Sequence, residues 1–201
     1  MNGTLLELPY LPNIKWMSCF LQSQNVCIER HENFVKSTYR NRCEIAGPNG
    51  RQVLSIPLSG GRDTHRLYTQ VQMQTDARWR KIHWQSIRSA YGRSPFFEYY
   101  SQPFEAQFLN TQTSLFEFNY GLLCTMLRLL KCNNPILFTS SYEPNPSELC
   151  DYRLIEPAQP VEVLRYYQVF EDRNGFMANL SGIDLLFNMG PAAKDYLLKL
   201  K

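Results

Sequence analysis

Residues Ser37 to Pro57 read STYRNRCEIAGPNGRQVLSIP. Tyr39, Asn41, Cys43 and Ile45 alternate with Thr38, Arg40, Arg42 and Glu44, the period of two that marks a strand. GPNG, Gly47 to Gly50, is turn chemistry, and Val53 to Leu58 supplies a return strand, so a β-hairpin is expected. Within it, RNR places Arg40 and Arg42 on one strand face, about 7 Å apart at the usual rise per residue, with Asn41 on the other. Two adjacent guanidinium groups repel unless something neutralises them. A phosphate or carboxylate ligand does so well, because the planar fork takes two oxygens at once. Acidic residues of the second half, such as those near Glu171, would serve equally, and the sequence leaves both open.

On the N-terminal side of the hairpin, Leu5 to Leu8 suggests a first strand stopped by Pro9 and Pro12. Asn13 caps a helix to about Gln22, and Asn25 to Arg30 forms a second strand. On the other side, an SGGR loop at Ser59 to Arg62 leads to a strand near Leu67 to Gln74. Asp76 caps a helix through Tyr91, stopped by Gly92, and Pro95 opens another to about Leu109. Ser114-Leu-Phe-Glu117 is a capping box for an apolar helix that Asn133, Asn134 and Pro135 end. Ile136 to Ser140 reads as a strand, Pro144 to Pro160 as irregular, and Val163 to Phe170 as β-like. Ser181 caps a helix to Met189, and a last helix follows Gly190-Pro191. Helices and strands mix without regular βαβ alternation. The expectation is therefore an α+β or irregular α/β fold: one domain over residues 1–201, with a mixed sheet including the hairpin packed against several helices.

The chain has 201 residues, 44% of them hydrophobic and 19% charged, enough for a core and too few charges for disorder. The net charge of +3 conceals an asymmetry: Lys36 to Arg93 carries a net +8, and Ser94 to Lys201 a net −4. Such a basic middle suggests an anionic ligand, or two halves that attract each other. Cys19, Cys27, Cys43, Cys124, Cys132 and Cys150 form no C-x-x-C pair, so neither a zinc ribbon nor a disulfide framework is expected. The opening MNGTLLELPYLP lacks the charged start of a signal peptide, and a cytoplasmic setting is the simplest expectation. The most apolar segment, Leu115 to Leu130, is shorter than the ~20 residues of a membrane span and contains Glu117, Asn119 and Arg128. It is expected to be a buried helix.

Chemistry-bearing residues beyond RNR are few. In DARWRKIHWQSIRSAY, Asp76 to Tyr91, the residues Trp79, Ile82, His83, Ile87 and Tyr91 fall on one helix side. His83 is either a core histidine satisfied by a hydrogen bond or a general acid or base. Glu29, His31 and Glu32 could in principle ligate a metal, but a polar turn fits better. Cys43 beside the arginines is a nucleophile only if its thiolate is stabilised there. The familiar nucleotide-loop, hydrolase and zinc patterns are absent, so no cofactor and no metal are expected. Tyr39, Tyr68, Trp79, Trp84 and Tyr91 in the basic middle could stack on bases, but no nucleic-acid motif accompanies them.

Taken together, YLPNIKW, STYRNRCEIAGPNGRQVLSIPL, WRKIHWQSIRSAYGRSPFFEYY and NLSGIDLLFNMG, in this order and spacing, resemble the WbqC-like family of bacterial proteins. That family is associated with gene clusters for O-antigen, capsule and other surface polysaccharides. Asn41, Arg42, Trp79, His83 and Asn188 match its motif positions. Many members open with Gln-Pro where this chain has Glu7-Leu8, a departure that bears on substrate identity. The resemblance implies a pathway more than a reaction; the first expectation within it is a transferase-type enzyme acting on a nucleotide-linked or lipid-linked sugar, or using an acyl donor. Arg40, Asn41, Arg42 and Trp79 would then bind the anionic substrate, and His83 would move a proton. The alternative is a non-catalytic binding or scaffold protein of glycan assembly. The oligomeric state is not legible.

Overall fold

The computed structural model describes residues 3–60, 66–147, 149–153 and 163–200. Four short strands form one parallel sheet: β1 (Thr4–Leu6), β2 (Val26–Ile28), β5 (Ile136–Phe138) and β6 (Cys150–Asp151), in the order β5-β2-β1-β6. Helix α1 (Ile14–Gln22) carries the chain from β1 back to β2, as a parallel pair requires. Asn13 caps it as expected, its side-chain oxygen accepting from the Trp16 amide at 2.8 Å. Between β2 and β5 the chain inserts the hairpin, β3 (Arg42–Gly47) and β4 (Gly50–Ser55), and three helices: α2 (Arg78–Tyr91), α3 (Phe97–Leu109) and α4 (Leu115–Leu129). After β6 come α5 (Glu171–Asn174), α6 (Gly182–Met189) and α7 (Ala193–Lys199).

This is an α+β fold, with the hairpin as a two-stranded sheet of its own beside the parallel one. Leu6, Val26 and Ile28 bury one face of the parallel sheet in a core shared with Trp16, Phe20, Leu122, Leu123 and Met126. α4 is buried as expected, and Ser114 caps it by accepting from the Glu117 amide at 3.4 Å. α6 packs so closely that a Cβ on Gly182 would lie 2.8 Å from the Met126 Cε. It ends at Gly190, whose φ of 54° lies in the left-handed region open to glycine.

Several expectations need correction. Leu67 to Gln74 is not a strand; it holds a 3₁₀ turn at Tyr68–Gln70 and isolated bridges. Tyr68 is drawn inward there, its hydroxyl donating to the Leu8 carbonyl at 2.7 Å. The β-like stretch forms no strand over its described residues 163–170. Most importantly, β3 begins only at Arg42, so Arg40 and Asn41 lie in the preceding turn and Arg40 shares no strand face with Arg42. All six cysteines are free. Among the described residues no helix is long and apolar enough to cross a membrane. The segment Leu154 to Pro160, part of the irregular stretch read from the sequence, lies outside the described residues.

Candidate functional site

The carboxyl ends of parallel strands place the residues that follow them along one edge of the sheet. Here those residues are Glu7 after β1, Glu29 after β2, Thr139 after β5 and Arg153 two beyond β6. The ladder continues one step past the strands, with the Glu29 amide on the Leu6 carbonyl (2.9 Å) and the Thr139 amide on the Ile28 carbonyl (3.1 Å). Glu29, fully buried, accepts from the Thr139 hydroxyl at 2.7 Å and from the His31 amide at 2.7 Å. Its second oxygen meets Arg153, which also grips Asp151 at 2.6 Å.

Arg40 completes this edge. Its guanidinium binds Glu7 at 2.7 Å and Glu32 through two bonds of 2.8 and 2.5 Å, all three groups being buried. Arg40, expected to hold an external anion, is thus spent on two carboxylates of the first thirty-five residues. The reason is desolvation: a buried guanidinium demands paired acceptors. Burial pushes Glu7 up to about 8, with Arg40 opposing and Glu32 adding to the rise. Two carboxylates around one cation leave one of them best neutral, and Glu7 therefore holds its proton at neutral pH.

The remaining sequence candidates gather on the other side of the RNR turn. His83 is buried, with Tyr10 Oη 2.9 Å from its Nδ1. The ring also hydrogen-bonds the backbone of Ser55, the residue paired with Arg42 across the hairpin. These partners put the ring proton on Nε2, donating to the Ser55 carbonyl, and leave Nδ1 to accept from Tyr10. Desolvation lowers the His83 pKa to about 4, so the imidazole is neutral. Trp79 is core rather than open surface: its indole N–H donates to the Gln74 carbonyl at 3.1 Å and its ring stands edge-on to His83 and Phe118. Arg80, not singled out from sequence, lies over the Trp79 and Phe118 rings at 4.7 and 4.8 Å.

Four buried polar atoms in this region lack a partner: Asn41 Oδ1, Arg42 Nε, Arg80 Nη1 and Asn119 Oδ1. Arg80 reaches the Gln112 carbonyl, and two of the others have contacts at the RNR turn. Asn41 donates to the Ile56 carbonyl at 3.3 Å, and Asn119 to the Arg40 carbonyl at 2.7 Å. Buried polar atoms are seldom left so. Cys43 follows Arg42 but is buried, and desolvation holds its thiol well above the ordinary range; it is no thiolate nucleophile. Among the described residues no three His, Cys, Asp or Glu side chains gather as metal ligands.

A family model, the WbqC-like protein family, matches residues 9–171. The chain belongs to the WbqC-like family. No curated protein and no solved structure matches it. Beyond the matched residues, Asn188 has a structural setting: it donates to the Asp184 carbonyl at 2.8 Å, one turn back along α6. The Glu7-Leu8 departure from the WbqC-like Gln-Pro opening also acquires a physical reading. A carboxyl that holds its proton offers one acceptor and one donor, much as an amide does, so Glu7 on Arg40 is close to a glutamine in charge and hydrogen bonding. The charged strand-edge cluster escaped the sequence reading. Its signal was a polar residue directly after each short apolar run, in Leu6-Glu7, Ile28-Glu29 and Phe138-Thr139.

Proposed function

We propose that this WbqC-like protein is a transferase-type enzyme of bacterial surface-glycan assembly, and that it binds an anionic substrate bearing phosphate or carboxylate. The observation that carries this reading is the unspent Arg42 Nε, buried without a partner beside the equally unpartnered Asn41 Oδ1. Arg40 supports the turn from beneath by its ion pairs, and Arg42 is the arginine of the pair left to bind an oxyanion. Asn41 would orient a substrate hydroxyl through its idle carbonyl oxygen. Neutral His83 reaches the same hairpin end through Ser55, where it would move a proton of the bound substrate. Trp79 fixes the His83 ring and contributes no open stacking face.

A second reading, a non-catalytic binding protein of the same pathway, is favoured by one specific observation: both nitrogens of His83 are already engaged. Thermal-shift measurement with inorganic phosphate, nucleotide sugars and acyl donors separates these from an inert surface. The expected result is stabilisation by a phosphate- or carboxylate-bearing ligand that Arg42→Lys abolishes, since lysine keeps the charge but loses the fork. With the stabilising ligand in hand, His83→Asn should retain binding and lose turnover. Turnover retained in His83→Asn would take the proton-moving role from His83, binding without turnover in the unaltered chain would favour the binding-protein reading, and absence of any Arg42-dependent shift would remove both.

A further inference from the structure

Parallel sheets are ordinarily covered on both faces. Here the face carrying Leu5, Cys27 and Leu137, which the strand register puts in one row, is roofed by the segment after β5. Between that face and residues 139–147 with Leu149 lies a cavity of about 380 Å³, at the small end of the ~300–1,000 Å³ usual for small-molecule sites. Its floor is Leu5 and Cys27, and its inner wall is Glu29 and Thr139. Its rim is Ser140, Ser141, Glu143 and Ser147.

The roof is built, not merely near. The Arg153 guanidinium donates to the Pro144 carbonyl at 3.1 Å and lies 5.1 Å from the centre of the Tyr142 ring, while also binding Glu29 and Asp151. One buried cation thus ties the covering loop to the carboxyl edge of the sheet, and the cavity is held open in advance of any ligand.

The lining selects a chemical class. Glu143 brings one carboxylate to the rim, buried Glu29 is paired with Arg153, and that cation is committed to carboxylates and a carbonyl, so a phosphate or carboxylate would find no free cation here. Three hydroxyls, of Ser140, Ser141 and Ser147, can each donate and accept. Leu5, Pro146 and Leu149 offer apolar contact to ring carbons. Hydroxyl hydrogens need acceptors and hydroxyl oxygens need donors, and this mixture supplies both. We propose that this cavity is a binding subsite for a neutral, polyhydroxylated ring, a single sugar residue of an uncharged type. The proposal rests on the glycan reading only in taking sugars as the polyols to test. It uses none of the Arg42 side of the molecule.

Saturation-transfer NMR on the full chain, with glucose, galactose and N-acetylglucosamine at millimolar concentration and glucuronic acid as the anionic counterpart, tests it. Saturation should reach ring protons of at least one neutral sugar and be weaker for glucuronic acid. Ser141→Trp and Ser147→Trp, at exposed rim positions that leave the fold intact, and Cys27→Phe, which fills the floor, should each cut the signal at least tenfold. Arg42→Lys should leave it unchanged. Saturation of glucuronic acid equal to the neutral sugars, of a simple amine in their place, or of none of these, would overturn the assignment. So would a sugar signal lost in Arg42→Lys and kept in the rim variants, which would move sugar binding to the Arg42 site and leave the proposed function standing.

Discussion

Glu7 illustrates how burial can keep a glutamate neutral. Its carboxyl is buried against Arg40 and held up to about 8, against 4.5 for an ordinary glutamate. The stability conferred by its protonated form is fully present below about pH 4.5 and is lost as pH rises to about 8. His83 works in the opposite sense: its pKa falls from 6.5 to about 4, so its contribution is present above pH 6.5 and lost as pH falls toward 4. The two slopes oppose each other in the acidic range, where buried Asp184, raised to about 6, adds to the Glu7 side; between pH 6.5 and 8 the fall belongs to Glu7, with Glu32, which burial also raises beside Arg40. Chemical denaturation across that interval should show stability dropping with pH by up to about 1.4 kcal/mol per unit, the value for one proton. Glu7→Gln should flatten the curve while keeping the fold, because the amide reproduces the neutral carboxyl. A slope unchanged in Glu7→Gln would place the titrating proton elsewhere.

At the scale of elements, the helices were legible because their ends are written locally. Asn13, Ser114 with Glu117, and Ser181 each cap the helix that follows, and Gly190 closes α6. The apolar content of α4 identified a buried helix, with Leu123 inaccessible and Leu127 nearly so. Leu123→Ala or Leu127→Ala should therefore cost roughly 2–5 kcal/mol in equilibrium unfolding. A loss below about 1 kcal/mol at both would mean that the helix surface is not core. The turn holding Arg40 was misread as strand for an equally physical reason. Its alternation fits a period of two, but what bends the chain is a guanidinium drawn inward by Glu7 and Glu32, partners 33 and 8 residues away. Local pattern carries no trace of such long-range pairing. The candidate site was half legible: Arg42 and His83 were found, whereas Arg80, Asn119 and the strand-edge carboxylates became visible only once the sheet was assembled.

At the scale of the whole molecule, among the described residues the ion pairs of Arg40, Arg51 and Arg78 are made with Glu7, Glu32, Glu44 and Asp76, none of them in the acidic second half. Arg153 with Glu29, at the sheet edge, joins distant segments. That sheet has a further consequence, one of timing. β1 and β2 are joined through a single helix, but β2 and its other neighbour β5 are separated by roughly a hundred residues, and closing a loop of that length precedes any reward from the contacts it permits. The sheet should grow outward from β1 and β2, with β5 arriving after the inserted helices have condensed. Pulse-labelled hydrogen exchange during refolding reads this directly. The Glu29 amide, bonded to Leu6, should become protected before the Thr139 amide, bonded to Ile28; simultaneous protection would mean that the inserted helices and the entire sheet assemble in one concerted step.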